Sequence, residues 1–186
     1  MKTPRFLLAP LLVMACGTVL AQEPVVPPAD QDALFHSSDP KLDANKQVAM
    51  HIVRDLLQTG HWELADKYLT ERYIQHNPNA KSGRAGVLVY FNGLIQSGRL
   101  KVKPLAEHVD DNVVAVVAEG DLVTVAYARP YHVDPADQSS PTYTTTWFDQ
   151  WRIKDGKADE HWDPATLPAP VVKKAKPETP KSESSK

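Results

Sequence analysis

The chain has 186 residues, a single cysteine and a formal net charge of −2. A nearly neutral balance argues against nucleic acid as the main partner, and one thiol excludes a disulfide framework or a cysteine-ligated metal cluster. Once both terminal segments are set aside, the remainder is the size of one ordinary domain.

Residues 1–21 have the form of an export signal: Lys2 and Arg5 supply the positive start, and Phe6 to Ala15 is almost wholly apolar. That run is too short to span a bilayer comfortably. Two processing routes are open. Cleavage after Ala21 would release a soluble periplasmic or secreted protein. Alternatively, Leu12-Val13-Met14-Ala15-Cys16 resembles a bacterial lipobox, and lipidation of Cys16 would anchor the protein to a membrane. Membrane contact is expected only by the second route. Residues 22–41 are proline-rich and read as a flexible spacer. Residues 168–186, dominated by proline, lysine and serine, read as a disordered tail. The folded domain is expected at 42–167.

Within it, Asp43 or Asn45 is positioned to cap a helix running to about Gln58, with Val48, Ile52, Val53, Leu56 and Leu57 as its apolar stripe. Gly60 ends that helix. His61 to Leu69 predicts a second, short helix with Trp62 packed inside. Arg72 to His76 can be extended, and Asn77-Pro78-Asn79 turns the chain. Arg84 to Ile95 predicts a third helix with Val87, Leu88, Phe91, Leu94 and Ile95 on one face. Valine-rich segments at 102–109, 113–118 and 122–133 then predict strands, broken at Asp110-Asp111-Asn112 and Glu119-Gly120-Asp121. Residues 135–141 form a polar loop. Helices first and strands after argue for an α+β fold in which three helices cover a curved antiparallel sheet. Such an arrangement encloses a cone whose mouth is a natural pocket.

The last two strands carry the chemistry. Thr146 to Asp163 holds three tryptophans, one histidine and five acidic residues, with Asp155-Gly156 as a tight hairpin turn. Aromatic walls and carboxylates beside imidazole are the parts of a pocket with acid–base capacity. A two-residue turn sets Arg152 opposite Asp159, Gln150 opposite His161 and Phe148 opposite Asp163. Strand alternation then puts Trp147, Asp149, Trp151, Glu160 and Trp162 inside, and His161 with Asp163 outside. One bulge would exchange these faces, because side chains alternate with period two. Asp149 is the carboxylate that the pattern alone selects.

Two segments carry a resemblance. One is Tyr73-Ile74-Gln75-His76-Asn77-Pro78, followed by Gly83-Arg84 to Gly86 ahead of a helix. The other is Asp149 to Arg152, Lys154-Asp155-Gly156-Lys157, and Glu160-His161-Trp162-Asp163. Together they resemble the SnoaL-like branch of the nuclear-transport-factor-2-like superfamily, over roughly residues 43–167. The resemblance implies the same α+β cone. It also implies chemistry without a cofactor, as in polyketide cyclases, where a carboxylate removes a proton next to a carbonyl. On that likeness Asp163 is the general base, and His161 and His76 hold the carbonyl or the developing enolate. The substrate would be a small hydrophobic carbonyl compound. Tyr73, Asn77, Phe91, Trp147, Trp151 and Trp162 are the candidate walls around it. Pairing of two copies through the open sheet face is a further implied contact.

Each candidate has a plainer reading. Asp149 and Asp163 could be hydrogen-bonded structural carboxylates, His76 could bond to backbone, and the tryptophans could be core. The spacing of His76, His161 and Asp163 matches no compact metal motif, so no metal is expected. No glycine-rich phosphate loop and no Gly-x-Ser-x-Gly elbow occur. Two functional classes therefore stand: a cofactor-independent lyase, isomerase or cyclase, and a non-catalytic small-molecule-binding or dimerisation protein of the cell envelope.

Overall fold

A computed structural model describes residues 23–108 and 112–167. The expected signal at 1–21 and the expected tail at 168–186 lie outside the described residues.

The first helix, α1 (Pro40–His51), starts at Asp39, whose side chain accepts hydrogen bonds from the Lys41 and Leu42 N–H groups, with Pro40 at the first helical position. This corrects the expected caps. Asp43 lies inside the helix and accepts the Ser37 N–H instead. Asn45 is buried and donates to the Gly120 carbonyl, tying α1 to a strand turn. The helix continues as a π-helical segment, Ile52–Gln58, and closes at buried Thr59, whose hydroxyl donates to the Arg54 and Asp55 carbonyls.

Part of the expected 22–41 spacer is packed rather than free. Asp32–Phe35 forms a 3-10 turn, Phe35 is wholly buried, and Gln31 is buried with its carbonyl oxygen accepting the Val113 N–H. A large aromatic at position 35 supplies the apolar area that proline-rich spacers lack.

After a 3-10 turn at Trp62–Leu64 come α2 (Ala65–Tyr68), β1 (Leu69–Gln75) and α3 (Arg84–Gln96). Then follow β2 (Val113–Glu119), β3 (Leu122–His132), β4 (Thr142–Lys154) and β5 (Lys157–Trp162). The valine-rich stretch from Val102 does not form the expected strand. It holds a single 3-10 turn, Leu105–Glu107, with Val102 and Leu105 exposed. Pro104 has no N–H to give a ladder, which explains the failure.

The five strands form one sheet in the order β1-β5-β4-β3-β2. β2 through β5 make an antiparallel meander, and β1 adds to β5 in parallel. The α+β architecture is as expected, and the sheet is mixed because the long connection through α3 and the meander permits a parallel return. α1 packs across β2 to β5, while α3 packs on β1. Between helices and sheet lie Ile52, Leu56, Trp62, Leu69, Val87, Val123, Val125, Trp151 and Ile153, all nearly inaccessible to solvent.

At the β4–β5 turn both Asp155 (φ 51°) and Gly156 (φ 75°) are left-handed, as a two-residue hairpin with both central φ angles positive requires. Lys154 pairs with Lys157 and Ile153 with Ala158, as alternation predicts. The register then slips: Arg152 pairs with Glu160, Trp151 with His161 and Gln150 with Trp162. Asp159 is the extra residue, a β-bulge. Its carboxylate is buried and accepts from Thr70 Oγ1 at 2.8 Å and from Arg72 Nε at 2.9 Å, with Arg72 Nη2 as a further donor. The Thr70 hydroxyl in turn accepts the Tyr73 N–H, and β1 is irregular between Leu69 and Ile74. Two neighbouring strands therefore deform together around one clamped carboxylate.

Candidate active site

The bulge exchanges the faces of β5 beyond Asp159. His161 now lies beside Trp151 and Asp149 on the helix-covered face, and Asp163, two residues on, follows it inward. Glu160 and Trp162 turn to the opposite face, which corrects the inward placement expected for both. His76 goes with them. Its Nε2 lies 2.9 Å from Glu160 Oε1, and its ring stacks on Trp162 with centroids 5.2 Å apart. The expected roles of His76 and Trp162 inside the cone are not supported by this geometry. Gln75 faces inward, so its neighbour in an extended chain faces out. Burial of Asp159 and ion pairing of Arg152 with Glu160 at 3.1 Å decide the matter.

Under the helices is a narrow hollow of about 60 Å³ that opens to a wider mouth. Ile52, Trp62, Val87 and Phe91 supply its apolar roof, and Tyr73, Gln75, Asp149, Trp151, His161 and Asp163 its polar floor. Trp62 and Phe91 stack with centroids 3.5 Å apart. Tyr73, Asn77, Phe91 and Trp151 line the hollow. Trp147 does not; it lines a neighbouring one.

The floor is organised by hydrogen bonds whose directions can be worked out. The Asn77 N–H donates to Gln75 Oε1 at 3.0 Å, which fixes that atom as an acceptor. His161 Nδ1, 2.7 Å from the same oxygen, must therefore carry a proton. The other ring nitrogen, Nε2, lies 3.2 Å from Asp149 Oδ1. A hydrogen bond there needs one further proton between the two groups, giving either imidazolium and carboxylate or imidazole and carboxylic acid. The His161 ring lies near Trp151 (5.4 Å) and Tyr73 (6.3 Å) and is buried.

Asp163 is held separately. Its Oδ2 accepts from Asn77 Nδ2 at 2.7 Å and its Oδ1 from the Ala165 N–H at 2.9 Å. Asn77 is itself oriented, since its Oδ1 accepts the Asn79 N–H. Tyr73 Oη accepts from Trp151 Nε1 at 3.1 Å, which directs its own hydrogen elsewhere. Burial first, and the Asp149 and Asp163 charges after it, push the Tyr73 phenol well up, so it stays a neutral donor.

Asp149, His161 and Asp163 bring ligand-type atoms within 4.8 Å of one another. That set differs from the His76, His161 and Asp163 trio that the sequence brought to mind. Two oxygens and an imidazole could hold a divalent ion, but the donors here are already engaged, with His161 on Asp149 and both Asp163 oxygens on Asn77 and Ala165.

Gln75 is the residue that sequence reasoning missed. It stood inside the Tyr73 to Pro78 segment, and alternation from Tyr73 places it on the same face.

A helix-roofed sheet with an acid and imidazole floor defines an α+β cone. The SnoaL-like domain description matches residues 51–161, and the chain belongs to that family. No match was found among curated protein sequences. Several solved structures are similar to it at low identity. TsrD from Streptomyces laurentii is 19% identical, with a TM-score of 0.43, over 68% of this chain and 90% of that one. A SnoaL-like polyketide cyclase candidate from Jannaschia sp. CCS1 is 17% identical, with a TM-score of 0.44, over 65% and 85%. A protein of unknown function with a cystatin-like fold from Xanthomonas campestris is 18% identical, with a TM-score of 0.45, over 64% and 88%.

Proposed function

We propose that the hollow is the active site of a cofactor-independent enzyme that removes a proton next to the carbonyl of a small, largely apolar compound. The support is the meeting of Asp149, His161 and Asp163 within 4.8 Å on the floor of an otherwise apolar hollow. In this reading Asp163 takes the α-proton, and the C–H electron pair moves onto the carbonyl oxygen. The Tyr73 hydroxyl and the proton shared by His161 and Asp149 receive that developing charge. Return of the proton at another carbon gives an isomerase. Attack of the enolate on a second carbonyl, with a proton then supplied to the new alkoxide, gives an aldol cyclase. The positively charged start and apolar run in residues 1–21 support action in the cell envelope.

The test is deuterium uptake at the α-carbon of a panel of small ketones and diketones in heavy water, read by NMR with the full chain. Asp163→Asn should abolish catalysed uptake and leave the melting temperature within a few degrees. Asp149→Asn should reduce uptake at least about tenfold. Unchanged uptake in both variants would end the enzymatic reading. Melting temperatures raised by the same compounds with no uptake in the parent would instead favour a binding protein.

A further inference from the structure

A second, more open hollow, about 260 Å³, lies against the first. Asp149 and Leu57 line both and form the wall between them. Its character differs. Among the described residues, two buried side-chain oxygens that line this hollow, Gln58 Oε1 and Asn112 Oδ1, have no hydrogen-bond partner. Buried polar groups are nearly always satisfied, and where the chain does not do it, ordered water or a bound molecule does. Either amide, whichever way it is turned, offers one donor end and one acceptor end. Tyr127 is 8% exposed; its hydroxyl donates toward Asp149, and its oxygen can still accept.

The rim carries a cation. The Arg129 guanidinium sits 4.2 Å over the Trp147 ring and 5.6 Å from the Tyr131 ring. Stacking orients the planar fork and leaves its N–H edge for an anion. Tyr127 and Arg129 are two residues apart on β3, so they share a face with Cα atoms roughly 7 Å apart.

We propose that this second hollow binds a small hydroxylated carboxylate, its carboxylate at Arg129 and its hydroxyl among Tyr127, Gln58 and Asn112. A hydroxyl suits that end because it can donate to the Tyr127 oxygen or to an amide oxygen while accepting from an amide N–H. Trp147 offers an apolar wall between the two groups. Binding here does not require the proton chemistry proposed for the first hollow, and the test reads binding alone.

Calorimetric titration of the full chain would use 4-hydroxybenzoate, whose ring holds hydroxyl and carboxylate apart by a span close to the Tyr127–Arg129 separation, with benzoate and 4-hydroxybenzamide as controls. Saturable binding of 4-hydroxybenzoate is expected, weaker by at least about tenfold for either control. Arg129→Gln, at an exposed position and with its melting temperature checked against the parent, should weaken 4-hydroxybenzoate about tenfold and leave 4-hydroxybenzamide unchanged. Tyr127→Phe should weaken 4-hydroxybenzoate and leave benzoate unchanged. Absence of saturable binding by 4-hydroxybenzoate at millimolar concentration would overturn the proposal, as would equal affinity in the parent and in Arg129→Gln. In either event water fills the hollow. Replacement of Asp163 should leave this binding intact, so failure of the enzymatic reading and failure of this one are separable.

Discussion

His161 and Gln75 fix the proton geometry of the candidate site: the 2.7 Å contact from His161 Nδ1 to Gln75 Oε1 leaves Nε2 as the nitrogen that faces Asp149. Removing the Gln75 acceptor leaves a buried N–H unsatisfied, at a cost of about 1–3 kcal/mol. Gln75→Leu should lower stability in chemical denaturation by that amount. It should also shift the pH profile of deuterium uptake, because the imidazole is then free to change tautomer. Gln75→Glu keeps an acceptor and should restore most of the uptake. Identical pH profiles in the parent and Gln75→Leu would show that Gln75 is structural only.

Asp159 makes folding stability depend on acid. Hydrogen bonding from Arg72 holds its carboxyl at a pKa of about 2 in the folded protein, against about 3.9 for a free aspartate. The folded value is depressed, so this contribution is fully present above about pH 4 and is lost as pH falls toward 2. Asp159→Asn should cost on the order of 2 kcal/mol at pH 7. The gap between variant and parent should narrow in urea titrations repeated between pH 4 and 2. A constant gap would mean that the carboxylate charge contributes nothing.

Since the bulge at Asp159 sets which side chains enter the hollow, Asp159→Asn should also reduce deuterium uptake. Loss of the charged partner loosens the slip between Arg152 and Ile153 that turns His161 inward. Full uptake together with reduced stability would separate the bulge from the site.

Asp39→Ala removes the acceptor of two α1 N–H groups. About 1 kcal/mol should be lost, with uptake unchanged because the cap lies outside the hollow. Reduced uptake at full occupancy of the folded state would contradict this separation.

Chelation with EDTA should leave both uptake and melting temperature unchanged. The donors of Asp149, His161 and Asp163 are already matched to one another and to Asn77 and Ala165. Loss of uptake on chelation, restored by a divalent ion, would move the site from proton transfer to metal chemistry.

The sequence by itself determined the α+β class, the helix ending at Gly60, the Asp155-Gly156 turn and the supply of acid, imidazole and indole on the last two strands. These follow from local rules: hydrophobic period, turn conformations and residue chemistry within a few positions. It also offered both Asp149 and Asp163, although strand alternation put the second outside, against the role that the resemblance implied. Only the tertiary structure decided that both face inward, that His161 joins them, and that His76, Glu160 and Trp162 do not. The reason is physical. A strand assigns faces by parity, and parity changed at one residue whose carboxylate is anchored by Thr70 and Arg72, 89 and 87 positions away in the chain. No local pattern in β5 carries that contact, so the floor of the pocket could be read only after β1 had been placed beside it.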